Sequence, residues 1–175
     1  MSLQLKVKLL DPQAKAPTKN HYNDAGWDLY ALNDVEIRPG ETKKIETGIA
    51  IELPLINDKI TVGLIWDRSG LGSKGITKLA GVIDYQYRGP VMVCLHNANT
   101  FSLLNALHDF FCLKWLKLEK YKERKQLFPD STYHIKAGDR IAQLLIQEVI
   151  PVDLVVVEEL SDTARADKGF ASSGR

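Results

Sequence analysis

The most constraining feature of the sequence is a series of short segments in which polar and apolar residues alternate or β-forming residues cluster. Alternation with a period of two is typical of half-buried β-strands. The segments are residues 4–10, 43–53, 60–66, 91–95, 140–149 and 152–157. Turn residues such as Arg38-Pro39-Gly40 separate them, and strands do not alternate with helices as in a βαβ fold. The sequence therefore predicts an all-β sandwich or small barrel.

Length and composition are those of an ordinary single domain. The chain has 175 residues, of which 45% are hydrophobic and 26% charged, and a net charge of +1. So small a charge excludes a whole-protein field for holding a nucleic-acid polymer or an anionic membrane. Apolar runs fall short of the ~20 residues of a membrane span, and the first ten residues lack a signal-peptide core or transit pattern. We therefore expect a cytoplasmic protein that binds any anion locally.

One stretch, residues 101–126, has a different period. Its apolar residues are spaced by three or four, which predicts an amphipathic helix, and Pro129 follows as a stop signal. Residues 114–125 carry six basic and two acidic side chains. Two interpretations remain open: a solvated helix face over a sheet, or a docking surface for an acidic protein partner.

Residues 66–75 concentrate groups that suit a phosphate ligand. This segment follows a strand and contains Arg68, Ser69, Lys74 and three glycines. Glycine lets backbone N–H groups converge on an anion, and arginine donates paired, charged hydrogen bonds. The pattern is not a Walker P-loop, because no GxxxxGK[ST] occurs.

Residues 81–89 predict a hairpin with an exposed carboxylate at its tip. A short apolar strand leads to Asp84, and Gly89 closes the turn. An ionised aspartate there can orient and deprotonate a water molecule. The alternative is a turn aspartate that satisfies its own backbone.

The last residues are rich in Gly, Ser and Ala. Phe170 stands among these small residues, near Arg165, Ser172 and Ser173, a set able to cover a base and contact phosphate. The alternative is a frayed terminus.

These segments together resemble the motifs of one family, the trimeric all-β deoxyuridine triphosphatases (dUTPases). Five segments match in order along the chain: 25–29, 68–74, 81–89, 137–143 and 165–174. The resemblance implies a jelly-roll-like β-barrel subunit and a homotrimer with active sites shared between subunits. It also implies Mg²⁺-dependent hydrolysis of dUTP to dUMP and pyrophosphate, which limits uracil incorporation into DNA and supplies dUMP for thymidylate synthesis.

The resemblance also implies a role for each matching residue. Asp84 would activate the attacking water, and Asp28 would lie behind the substrate contacts. Val82, Ile83 and Met92 would read the uracil edge, Tyr87 would stack under the deoxyribose, and Phe170 would close over the base. The triphosphate, carrying Mg²⁺ through its own oxygens and waters, would be held by Arg68, Ser69, Gly70, Gln143, Arg165, Ser172 and Ser173.

The same resemblance predicts the organisation of the chain. Residues 1–160 would form the β domain, with an inserted, mostly helical segment at 98–133, and residues 161–175 would form a flexible active-site lid. Some positions depart from the family pattern: Asp67, Gln86, Ala166, Lys168 and Ala171. Ala171 would restrict the lid if that position requires a positive φ.

Three alternatives stay open at this point. Cys94, His96, His108 and Cys112 have a spacing that could close a zinc site, although packing of reduced thiols is the plainer interpretation. A dCTP deaminase would share the fold, but it uses a glutamate near the position of Cys94. A regulatory, partner-binding protein would use the helix at 101–126.

Overall fold

The computed structural model describes residues 3–99 and 131–163. This part of the chain contains ten strands and one four-residue helix, α1 (Ser69–Gly72). The strands are β1 (Lys6–Leu9), β2 (Trp27–Tyr30), β3 (Val35–Ile37), β4 (Thr42–Glu52), β5 (Thr61–Trp66), β6 (Ile76–Lys78), β7 (Val82–Ile83), β8 (Pro90–Asn97), β9 (Tyr133–Ile135) and β10 (Arg140–Glu148). The prediction of an all-β fold is confirmed.

The strands form two four-stranded sheets and one two-stranded sheet. The first sheet has the order β1-β4-β8-β6, the second β2-β10-β5-β7, and β3 pairs with β9. The pairings are antiparallel. A β-bulge interrupts the pairing of β4 with β8 beyond Glu46, where Gly48 has a φ of +69°.

The core lies between the two larger sheets. Side chains alternate along β8, so that Val91, Val93 and Leu95 are buried while the intervening residues are exposed or half-buried. The inward residues join one hydrophobic cluster with residues of the second sheet: Leu29 of β2, Ile65 of β5 and Leu144 of β10. The period of two read from the sequence thus places one face of each strand in the core.

Five of the six predicted strand segments are confirmed, with bounds that differ by no more than two residues. The sixth, 152–157, is wrong: those residues form no strand within the described part of the chain. Val152 and Leu154 are 84% and 88% exposed. An apolar segment becomes a strand only where a neighbouring strand accepts its hydrogen bonds, and the described part of this chain provides none.

The predicted helix at 101–126 lies outside the described residues. Strand β9 begins at Tyr133, the last residue of the predicted insertion. Within residues 3–99 and 131–163, no helix is long and apolar enough to cross a membrane.

Asn97 connects the first sheet to the small one. Its side chain is fully buried, and its Nδ2 donates to the carbonyl oxygens of Ile37 and Ser131 at 2.9 and 2.7 Å. Its Oδ1 accepts from the backbone N–H and the Nδ2 of Asn99. A single amide therefore fixes the end of β8 against β3 and against the chain that leads into β9.

We expect Asn97→Ala to lower the free energy of unfolding by about 2–4 kcal/mol, because two buried carbonyl groups lose their donor. Urea denaturation measures the change. Asn33→Ala, which truncates an exposed asparagine, is the control and should change stability by less than about 0.5 kcal/mol. Equal stability of the two variants would contradict the role given to the Asn97 amide.

Candidate active site

Three strands of the second sheet bring polar side chains into one row. The register pairs Gln143 of β10 with Asp28 of β2 on one side and with Trp66 of β5 on the other. Directly paired residues project to the same face of a sheet. Two residues predicted to lie at the site, Gln143 and Asp28, are therefore neighbours.

Asp28 holds two arginines. Its carboxylate is almost buried, with Oδ1 3.0 Å from Nε of Arg68 and Oδ2 3.3 Å from Nη1 of Arg140. The Arg140 contact is a hydrogen bond, whereas the buried Arg68 Nε makes an ion pair without an aligned hydrogen bond. Nη1 of Arg68 also donates to the Arg140 carbonyl oxygen at 3.2 Å. Asp28 thus supports the predicted phosphate ligand Arg68 from behind.

Arg68 and Arg140 line a pocket of about 370 Å³, here named the cationic pocket. Its walls are Arg68, Gly70, Leu71, Lys74, Tyr133, Ile135, Asp139, Arg140 and Ile141. Three cations face one carboxylate in this lining, and the ammonium of Lys74 lies 5.5 Å from the centre of the Tyr133 ring. The charge balance favours an anionic ligand.

The phosphate-type turn begins with an extended Arg68 and continues into α1, where Ser69 and Gly70 are exposed. Asp67, a departure from the family pattern, accepts a 2.6 Å hydrogen bond from the backbone N–H of Lys78. This carboxylate joins the end of β5 to β6 and so holds the base of the turn.

A second pocket, of about 230 Å³, contains the other predicted contacts and is named the apolar pocket. Five predicted residues line it: Val82, Ile83, Asp84, Tyr87 and Met92. The remaining walls are Ile65, Leu79, Ala80, Gly81, Pro90, Val91 and Cys94. An exposed carboxylate and a phenol ring thus border an otherwise apolar cavity that suits a flat, weakly polar group.

The Tyr87 ring is held in place at the edge of this pocket. Its hydroxyl donates to the Pro90 carbonyl oxygen at 2.9 Å, and its backbone N–H donates to the Asp84 carbonyl oxygen at 3.0 Å. The ring lies against Gly89, where an added Cβ would stand only 2.6 Å from the Tyr87 hydroxyl oxygen. Glycine at this position is therefore required by the packing of the ring.

The predicted hairpin at 81–89 is wrong in its topology. Strand β7 pairs with β5 in the second sheet, whereas β8 belongs to the first. The segment between them is an inter-sheet turn closed by the Tyr87 to Asp84 bond. A two-residue strand satisfies its hydrogen bonds on β5 instead, and Pro90, the first residue of β8, has no N–H to donate.

The two pockets are separate in one chain. Ile83 pairs with Gly63 of β5, and Arg68 lies five residues after Gly63 and two beyond the end of β5, which corresponds to roughly 16 Å of extended chain at ~3.3 Å per residue. Asp84 continues from Ile83 in the opposite direction, because the pairing is antiparallel. The described chain therefore does not bring Asp84 and Arg68 together.

Several site residues escape sequence reasoning. Arg140 and Tyr133 line the cationic pocket beside the predicted Arg68 and Lys74, and Ala80 in the apolar pocket has a φ of +62°. The sequence signal that could have identified Arg140 as a site residue is its position in segment 137–143, which matches a family motif. Arg165, Phe170, Ser172 and Ser173 lie outside the described residues.

Cys94 and His96 bear on the two alternative chemistries. They share the outer face of β8, where Nδ1 of His96 lies 3.0 Å from the Thr42 hydroxyl, while His108 and Cys112 lie outside the described residues. The described segments hold no group of three or more His, Cys, Asp or Glu that could bind a metal ion. Cys94 lines the apolar pocket, where a deaminase would need a glutamate.

An all-β fold with an apolar pocket and a separate cationic pocket suits a small ligand that carries both a flat group and phosphates. A family model described as dUTPase matches residues 12–103 and 128–174. The chain belongs to the dUTPase family.

Curated relatives support this assignment. A protein named deoxyuridine 5'-triphosphate nucleotidohydrolase from Corynebacterium glutamicum is 39% identical over 174 residues, which cover 98% of this chain and 95% of the relative. A protein of the same name from Mycobacterium bovis is 35% identical over 182 residues, covering 99% and 97% of the two chains.

Solved structures agree. The dUTPase of Staphylococcus bacteriophage 80alpha with dUpNHpp is 30% identical, with a TM-score of 0.74, and the match covers 98% of this chain and 99% of the other. A mutant dUTPase from phage phi11 of S. aureus, described with a structural Mg(II) ion, is 28% identical with a TM-score of 0.68, covering 91% and 99%.

We expect Gly89→Ala to displace the Tyr87 ring and break its hydrogen bond to Pro90, because the added methyl group occupies the space of the phenol oxygen. A crystal structure of the variant measures the rotamer. Gly72→Ala is the matched control, since its added Cβ meets nothing within 4 Å. An undisturbed Tyr87 in Gly89→Ala would show that the ring does not depend on this glycine.

Proposed function

We propose that this protein hydrolyses dUTP to dUMP and pyrophosphate, which limits uracil incorporation into DNA and supplies dUMP. The proposal rests on the apolar pocket, where Asp84 and Tyr87 border a cavity that suits a nucleoside, in a member of the dUTPase family. The cationic pocket provides the charge that a triphosphate needs.

Base selection follows from the narrow walls of the apolar pocket. Main-chain groups of Val82 and Ile83, with Met92 opposite, would hydrogen-bond the uracil edge and exclude the methyl group of thymine. Tyr87 would lie under the deoxyribose, and its fixed ring leaves little space for a 2′-hydroxyl. A ribonucleotide would then have to bury an unpaired hydroxyl, which is costly.

Asp84 would act as the general base. Its side chain is exposed at the pocket, so a water molecule can reach it and lose a proton to it while attacking the α-phosphorus. Arg68, Ser69, Gly70 and Gln143 would hold the phosphates and stabilise the charge that develops on their oxygens.

Magnesium would reach the site with the substrate. The lining of the cationic pocket has three cations and one carboxylate, and Asp28 behind it already pairs with two arginines, so the described residues offer few free carboxylates there. This donor set fits a Mg²⁺ ion that is held by phosphate oxygens and waters, the ligands that it prefers at triphosphate sites. Its charge would offset that of the phosphates.

A homotrimer would assemble the complete site. Arg68 and Asp84 are far apart in one chain, and a second subunit would supply the missing half. Residues 150–160 support assembly, because Ile150, Leu154 and Leu160 are 77–88% exposed, unusual for apolar side chains of a lone subunit. The tail would be the third contribution, with Phe170 covering the base and Arg165, Ser172 and Ser173 contacting the phosphates.

We expect the protein to release pyrophosphate from dUTP with Mg²⁺, and not from dCTP, dTTP or UTP. Asp84→Asn should bind dUTP but lose ~10²- to 10⁴-fold in kcat, because an amide cannot accept the proton. A coupled pyrophosphate assay measures turnover, and calorimetry measures binding.

Asp58→Asn is the control for this experiment, since Asp58 lies in an exposed turn with a φ of 60°, a conformation that asparagine also adopts. It should keep wild-type kinetics. Near-wild-type kcat in Asp84→Asn would remove Asp84 as the base, and ammonia release from dCTP would restore the deaminase alternative.

Deletion of the residues after Asp162 should lower kcat sharply and leave the trimer intact, because the lid would close the site without holding subunits together. Kinetics and analytical ultracentrifugation measure the two properties. Unchanged turnover would contradict the proposed role of the tail as a lid. A monomeric wild-type protein or a monomeric deletion variant would contradict the proposed trimer.

A second candidate function is binding of a protein partner through residues 101–126. A solved relative from bacteriophage 80alpha is described as controlling transfer of virulence genes, and residues 104–127 of this chain fall outside the two segments matched by the family model. Six basic residues between 114 and 125 would favour an acidic partner. This role would add to hydrolysis and does not replace it.

A further inference from the structure

Arg140 is the one arginine of the cationic pocket to which the proposed reaction gives no role. We propose that Arg140 is a positioning residue: by sharing the Asp28 carboxylate, it leaves the charge of Arg68 available to the substrate's phosphates. The inference rests on the proposed function and concerns a residue that does not itself contact the substrate.

The geometry divides the carboxylate between the two cations. Arg68 uses Oδ1 of Asp28 and Arg140 uses Oδ2. With Oδ2 held at 3.3 Å by Arg140, the carboxylate plane is fixed and only one oxygen faces Arg68. The Nη atoms of Arg68 are then left for its bond to the Arg140 carbonyl oxygen and for a ligand.

The charge balance depends on Arg140. The group of Arg68, Asp28 and Arg140 carries a net charge of +1. Without the guanidinium of Arg140, the carboxylate would neutralise Arg68 alone, and the group would be neutral. Asp28 has a side-chain exposure of 12% and Arg68 one of 25%, so water screens this interaction weakly.

Hydrogen bonds fix the turn that precedes Arg140. The backbone N–H of Lys136 donates to Asp139 at 2.8 Å, and the backbone N–H of Ala137 donates to Asp34 at 2.8 Å. The bond from Ala137, followed by a hydrogen bond from the Lys136 ammonium, lowers the pKa of Asp34, which keeps it charged as an acceptor. The turn thus delivers Arg140 to β10 in a fixed position.

Removal of the cation should therefore weaken phosphate binding more than it slows chemistry. We expect Arg140→Gln to raise KM for dUTP about tenfold with a smaller change in kcat, and to weaken binding of inorganic pyrophosphate similarly. Adding Asp28→Asn to this variant removes the carboxylate that neutralises Arg68. The group then has a net charge of +1 again, so the double variant should regain most of the lost affinity. Steady-state kinetics and calorimetry measure both effects.

Recovery in the double variant distinguishes positioning from direct contact. If Arg140 itself bound the phosphates, Asp28→Asn could not rescue Arg140→Gln, and the losses would add. Additive losses would overturn the proposal. Lys8→Gln, which removes an exposed cation of β1, is the control and should leave KM unchanged.

A conservative variant covers the case in which Arg140→Gln does not fold. Arg140→Lys keeps the charge, so its KM should stay within about threefold of wild type, and a tenfold rise would contradict a charge-based role. Pyrophosphate binding separates this inference from the proposed function: a wild-type protein inactive on dUTP would refute the latter, whereas the pattern of pyrophosphate affinities would still decide the former.

Discussion

The position of β10 between β2 and β5 is the constraint on which the site depends. One face of β10 enters the core through Ala142 and Leu144, and the other aligns Gln143 with Asp28 and Trp66. Apolar burial fixes the register, because a shift of one residue would exchange the two faces. The hydrophobic core therefore fixes the face on which Asp28 contacts Arg68 and Arg140 of the cationic pocket.

The same sandwich keeps the two pockets apart. The apolar pocket forms where the chain leaves β7 and crosses to β8 in the other sheet, and the cationic pocket forms beyond the end of β5. Both lie along the same chain segment: Ile65 of β5 lines the apolar pocket, and Arg68, beyond the end of β5, lines the cationic pocket. Asp84 continues from Ile83 away from Arg68, because β5 and β7 are antiparallel, so the described chain leaves the two groups apart.

Sequence reasoning succeeded where the pattern was long. The 11-residue β4 alternates polar and apolar residues and the 9-residue β10 is rich in β-forming residues, whereas β3, β6 and β9 have only three residues each. Such short strands exist because neighbouring strands accept their hydrogen bonds, information that is not local. The topology of the 81–89 segment was predicted wrongly for this reason, and Val82, Ile83, Asp84 and Tyr87, which the family motif predicts as site residues, line one pocket.

The failure at 152–157 and the missed Arg140 share a physical cause. Both depend on groups that are distant in sequence. The 152–157 segment lacks a strand to pair with in the described chain, and the role of Arg140 is evident only beside Asp28, 112 residues earlier. A carboxylate that is nearly buried needs its charge compensated, and one cation would suffice for that. The second cation leaves an excess of positive charge, which a structural ion pair does not need and a triphosphate does.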